Sequence, residues 1–318
     1  MTDLRIASFL PAATEMACAL GLADQLIGVS HECDFPPAAR EKPIVSRNAL
    51  PIERMTPHEI DRAVAERIGR GESLYEIDSD LLERLAPTHI LTQSLCDVCA
   101  PSGNEITRAL ARLSSKPEVL CFTPHRLDEV HENVLELGRA TGRSREAEEL
   151  VAHSRARLDA VARCVARAPR RPRVLFLEWT DPYFCAGHWV PEMIAIAGGD
   201  EPLGRIGADS ARLTWADIAA ARPEVVIVSP CGFRVERAAE LARRLIDQPG
   251  WDGIPAVREG RVYAVDANAY FARPGPRVAE GVELLAHLIH PDLCAWRGPS
   301  DAHRQVQRAI QPAAHEGN

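Results

Sequence analysis

One grouping of reactive side chains is Cys96-Asp97-Val98-Cys99, a CxxC. Thiols at that spacing make a redox pair, half of a zinc site, or two unrelated cysteines. A thioredoxin-type pair opens a helix directly after a strand, which Pro101-Ser102-Gly103 works against, and no second CxxC or HxxxH completes a zinc set in sequence. Cys96 and Cys99 therefore stand as candidate metal ligands, joined by His31, Cys33, Cys185 or His188 only if the segments that carry them face one another. The chain has no GxxxxGKS/T phosphate loop, no GxGxxG, no HExxH and no GxSxG elbow. We therefore expect a protein that binds its ligand without converting it and needs no cofactor. A metal- or thiol-dependent enzyme is the alternative that the cysteines and histidines keep open.

Apolar, β-branched runs bounded by Pro, Gly or polar clusters predict strands near 4–10, 26–30, 89–94, 118–122, 173–178, 224–229 and 261–265, with helical periodicity between them. Such alternation predicts an α/β fold with mostly parallel sheets. Open α/β sheets bind ligands beyond the carboxyl ends of their strands. One such rim carries His31, Glu32, Cys33, Asp34, Phe35, Gln93, Cys96, Cys99, Thr123 and His125. The other carries Trp179, Asp181, Tyr183, Phe184, Cys185, His188, Trp189, Cys231, Asp266, Asn268, Tyr270, Phe271 and Arg273. All five tryptophans lie at or beyond position 179. That bias favours a broad, flat, partly apolar ligand over a phosphate or sugar acid, because aromatic faces give large contact area at low entropy cost.

Two echoes divide the chain. Glu15 to Gly21 (EMACALG) resembles Glu192 to Gly198 (EMIAIAG), and 85–94 (LAPTHILTQS) resembles 221–230 (ARPEVVIVSP). They predict two βα lobes on one plan: an N-terminal lobe over 1–142 with extra chain at about 50–78, and a C-terminal lobe over 171–298. Between them, within 143–170, an amphipathic helix is predicted over 145–168, with Ser144 as N-cap, acids in its first turn and Pro169 as its stop. Residues 299–318 read as a polar, frayed tail.

At 318 residues, with 46% hydrophobic and 26% charged, the chain can bury an ordinary globular core. Its 37 basic and 45 acidic residues leave a formal charge of −8, which supplies no cationic field for nucleic acid or an anionic membrane. No apolar run approaches the roughly 18 residues that cross a bilayer, so no membrane insertion is expected. Nine scattered cysteines and an N-terminus without a secretory pattern lead us to expect a cytoplasmic protein with reduced thiols.

Three blocks in order carry a resemblance: RIASFLPAATEMACALGLADQLIGVSHECDFPP at the start, RPRVLFLEWTDPYFCAGHWVPEMIAIAGG in the middle and YFARPGPRVAEGVELLAHLI near the end. They are similar to the cobalamin and iron-siderophore substrate-binding proteins of ABC importers, the class III periplasmic-binding fold, and most of all to its vitamin B12-binding members. The resemblance implies two α/β lobes joined by one long helix, with a cobalamin-like corrinoid, or another metal chelate such as haem or a siderophore, held in the cleft. It would line the cleft with His31, Glu32 and Phe35 from one lobe and Trp179, Tyr183, Phe184, Trp189, Tyr270 and Phe271 from the other. Asp181, His188, Asn268 and Arg273 would satisfy the amides ringing a corrinoid. The resemblance also implies an acidic residue on each lobe for docking to an ABC permease; Asp80 and either Ala216 or Asp217 match those positions. The extra 50–78 segment and the LCDVCA stretch depart from the general pattern.

Overall fold

The computed structural model describes residues 3–93 and 109–308. The first sheet collects β1 (Ile6–Ser8), β2 (Leu26–Ser30), β3 (Ile44–Asn48), β4 (Tyr75–Ile77), β5 (His89–Thr92) and β6 (Glu118–Cys121), in the order β4-β3-β2-β1-β5-β6. Only β3 and β4 pair antiparallel. The second sheet collects β7 (Val174–Thr180), β8 (Tyr183–Cys185), β9 (Val225–Val228), β10 (Val262–Val265) and β11 (His303–Val306), in the order β11-β10-β9-β7-β8. Its two outer pairs, β7–β8 and β10–β11, are antiparallel.

Both echoes are structural. The parallel runs β1-β5-β6 and β7-β9-β10 occupy matching places in the two sheets. Glu15 lies on α1 (Pro11–Ala19), and the helix carrying Glu192 is Val190–Ile196; each ends before a left-handed glycine, Gly21 (φ 74°) or Gly198 (φ 81°). A left-handed residue lets the chain leave a helix while satisfying its last carbonyls. In the second echo the helices Ser79–Leu85 and Trp215–Ala221 end on left-handed Ala86 and Arg222, each followed by a proline that blocks continuation.

After α2 (Pro57–Gly69), α3 (Ser79–Leu85) and α4 (Leu127–Thr141) comes the long helix α5 (Ser144–Val165), whose 22 residues span about 33 Å. Its buried positions Ala147, Val151, Ser154, Leu158, Val161 and Val165 form one stripe at steps of three and four. A Cβ at Gly138 would sit 2.5 Å from that of Ala147, so glycine is what allows α4 and α5 to approach. Arg157 holds α5 to the C-terminal helix Val278–Ile289 through paired bonds to Glu283 at 2.7 and 2.8 Å. A single buried cluster runs from Leu91 and Phe122 of the first lobe, through Val151 and Val161 of α5, to Phe176 and Ile227 of the second.

Two expectations are corrected. Arg143, not Ser144, occupies the cap position of α5, without a side-chain capping bond, and the helix stops at Val165. The tail is not frayed as far as residue 308: β11 pairs along β10, burying Ala302 and Val306 while Arg304 and Gln305 face solvent. An edge strand with one covered face reads as polar sequence, which is why periodicity overlooked it. No helix among the described residues is long and apolar enough to cross a membrane.

The seven described cysteines are free, but Cys164, near the end of α5, and Cys294 bring their sulfurs to 2.8 Å. Treating the folded protein with diamide should join this pair, the two thiols giving up two protons and two electrons to the diazene. Peptide mapping by mass spectrometry should find the 164–294 crosslink ahead of any pairing of Cys18, Cys33, Cys121, Cys185 or Cys231; equal labelling of all seven would refute the expectation.

Candidate functional site

The carboxyl ends of both parallel sheets open onto one cavity of about 540 Å³ between the lobes, within the range that holds drug-sized ligands. Of the thirteen residues expected to hold the ligand, eight line it: Glu32, Trp179, Phe184, His188, Trp189, Asn268, Phe271 and Arg273. His31 faces an adjoining cavity of about 440 Å³ that shares Glu32, Asn48, Asn268 and Arg273 with the first. Four other expected residues point elsewhere. Phe35 is exposed, its ring 4.2 Å from the Arg277 guanidinium. Asp181, at the solvent-exposed turn of the β7–β8 hairpin, lies 3.6 Å from His58. On β8, alternation turns Phe184 toward the cleft and Tyr183 away, against the edge of Trp251 and bonded to Gln248 at 2.8 Å. Tyr270 is buried against Phe271 and Trp296. Cys96 and Cys99 lie outside the described residues.

The extra segment of the first lobe forms a wall that sequence reading did not supply. Ile52, Ile60, Asp61, Val64, Leu74 and Tyr75 line the cavity, and Ile60 packs with Phe233 and Leu241 of the opposite lobe. Trp179 donates its indole N–H to the Pro57 carbonyl at 3.2 Å, and Arg237 donates to the carbonyls of Glu53 and Met55. Arg212 reaches Asp61 at 3.1 Å. The segment thus spans the cleft. Its amphipathic helix α2, opened by a capping box between Thr56 and Glu59, was the available signal.

At another part of the cleft the lobes meet through buried charge. Arg273 of the second lobe donates to Asp34 at 2.6 Å, to Glu15 at 3.4 Å and to the Glu32 carbonyl at 3.0 Å, all in the first lobe. Arg277 forks onto Glu15 at 2.6 and 2.8 Å, and Arg234 pairs with Asp34. Burial pushes the Glu15 carboxyl up, with Arg277 and Arg273 opposing. For Asp34 burial also pushes upward, but Arg273 and Arg234 outweigh it and hold the carboxyl below its ordinary value. Glu192, the echo of Glu15, reaches back the other way, accepting from the Leu127 N–H at 3.0 Å beside Arg126.

The loop after β8 is built for close approach. A Cβ on Gly187 would come within 2.4 Å of the Ser210 nitrogen, so only glycine lets the two loops touch. The next residue, His188, stands in left-handed backbone at φ 52°, a state that costs a residue with a Cβ of order 1–3 kcal/mol. Backbone bonds pin it: His188 N–H to Ala208 at 2.6 Å and Gly207 N–H to His188 at 2.9 Å. Behind it Glu178 accepts from Gly187 N–H at 2.9 Å and from the Ser210 hydroxyl, while burial pushes its carboxyl up. Burial lowers the His188 imidazole pKa, with the nearby Asp209 opposing. His188 Nε2 and Ser229 Oγ, both in the cavity lining, are buried without a hydrogen-bond partner. Unpartnered polar atoms in an apolar cleft are places where a ligand or water completes the bonding.

Residues 6–269 match the family described as periplasmic binding protein. A Bacillus subtilis protein, the uncharacterized ABC transporter substrate-binding lipoprotein YvrC, is 24% identical over 294 residues, covering 91% of this chain and 80% of its own. A vitamin B12-binding protein of Vibrio cholerae is 25% identical over 291 residues, covering 90% and 88%. Among solved structures, the periplasmic heme-binding protein RhuT from Roseiflexus superposes with a TM-score of 0.70 at 22% identity, covering 91% of this chain and 98% of that one.

Proposed function

Because this chain belongs to the periplasmic binding protein family, whose similar members are substrate-binding proteins and not enzymes, we propose that it is a noncatalytic binder of a cobalamin-like corrinoid, held between its lobes. The observation that carries the reading is the cleft itself: aromatic and aliphatic walls from both lobes, with Glu32, Asn48, Asp61 and Asn268 placed around them. A corrinoid presents a broad apolar face ringed by amides, so it needs this pairing of apolar surface with scattered polar groups. The named ligand of the Vibrio cholerae relative agrees with it. Delivery to an ABC importer belongs to the same proposal. Asp80 is exposed at the start of α3 beside Arg112, whereas the matching helix Trp215–Ala221 carries Ala216 there and spends Asp217 on its Thr214 cap.

Calorimetric titration of cobalamin, cobinamide and haemin tests the reading. We expect the two corrinoids to bind and Trp179→Ala to weaken them by about 2 kcal/mol, roughly thirtyfold, as loss of an aromatic anchor does in protein interfaces. Trp179→Phe should recover most of the affinity. Failure of both corrinoids to bind the wild type rejects the proposal, and tight binding of haemin alone transfers the cleft to a planar iron chelate.

A further inference from the structure

His125, His188 and Asp209 place one ligand atom each within 4.8 Å of one another. His125 lies in the loop between β6 and α4 of the first lobe, while His188 and Asp209 lie in the two pinned loops of the second, so the group straddles the cleft. The imidazole rings approach to 5.5 Å between centroids, and His188 Nε2 stands 3.1 Å from Asp209 Oδ1. Nε2 is buried without a well-aligned hydrogen-bond partner, although Asp209 Oδ1 is close enough to share an ion with it. We propose that these three residues form a binding site for a divalent transition-metal ion that bridges the lobes at the edge of the cleft.

Two imidazoles and a carboxylate without thiolate suit zinc, cobalt, nickel or copper rather than calcium or magnesium, which prefer all-oxygen shells. Around a tetrahedral ion with ligands at about 2.0–2.1 Å, donor atoms stand about 3.3 Å apart. The His188–Asp209 pair is already at that spacing. The third ligand rides on the other lobe, so a small inward movement of His125 or of its lobe completes the set. Three protein ligands leave a fourth position for water or for a donor group of whatever occupies the cleft. The site binds the bare ion and does not depend on the corrinoid reading.

The test uses untagged full-length protein carrying Cys96→Ser and Cys99→Ser, so that the CxxC contributes nothing, and cobalt(II) as the probe in the absence of any corrinoid. One equivalent should bind with visible d–d bands of a four-coordinate nitrogen and oxygen site, and zinc should displace it. His125→Ala, Asp209→Asn and His188→Asn, the last chosen because asparagine tolerates left-handed backbone, should each weaken binding at least tenfold with thermal unfolding unchanged. Asp209 is exposed, so its variant folds even if the histidine variants do not. No saturable cobalt binding, or unchanged binding in the Asp209→Asn protein, overturns the proposal. Metal binding without corrinoid binding, or the reverse, separates its fate from that of the proposed function.

Discussion

Replacing Arg273 by Met is expected to destabilise the protein by about 3 kcal/mol at pH 7, measured by denaturant unfolding. Removing one partner of a buried ion pair costs about 3–5 kcal/mol because the other charge stays behind uncompensated. The low end applies here, since Glu15 keeps Arg277 and Asp34 keeps Arg234. The pH dependence has a definite sign. The lowered Asp34 carboxyl contributes stability above its ordinary value near 3.9, and this is lost as pH falls through the folded value. The raised Glu15 behaves oppositely: its contribution is complete below its ordinary value and lost as pH rises through the folded one. Taking away Arg273 removes the larger of the two charges that lower the first group and one of the groups opposing the rise of the second. The gap between wild type and variant should therefore narrow on acidification below about pH 4; a gap independent of pH would show that the guanidinium acts through packing alone.

Trp189→Ala should cost about 3–5 kcal/mol of stability, the range for emptying a buried aromatic site. Trp189 is only 4% exposed, donates its indole N–H to the Phe271 carbonyl at 3.1 Å and belongs to the central buried cluster. Although it shows an edge to the cleft, most of its area faces the interior. Its truncation should thus lower the melting temperature far more than Trp179→Ala does, because Trp179 is only partly buried against the spanning segment. Comparable losses in the two variants would contradict this division of labour.

The architecture was legible because its signals are local. Parallel strands buried on both faces read as continuous apolar runs such as Val225–Val228, and the echoes coincide with helices ended by matching left-handed residues. Strands of three or four residues, such as β4, β8 and β11, carry too little pattern to be seen. The rim rule found the right loops but could not orient side chains within them. Alternation along β8 separates Phe184 from Tyr183, and only the fold reveals that Arg273 is committed to carboxylates of the other lobe. His125 and His188 were both visible as rim residues. Asp209 was not, because it sits in a long irregular connection that backbone bonds between loops bring beside His188.

The unbroken interior beneath the two sheets has a consequence for how the molecule comes apart. Leu91 and Phe122 share one packed cluster with Phe176 and Ile227 by way of α5, while each lobe also keeps a cluster of its own, around Phe9 and Ile90 in the first and around Val226 and Trp251 in the second. Two-lobed in outline, the chain is expected to unfold with its lobes coupled through that shared cluster. A flaw on the shared face of either sheet should then weaken both lobes, whereas one on an outer face should be felt mainly in its own lobe.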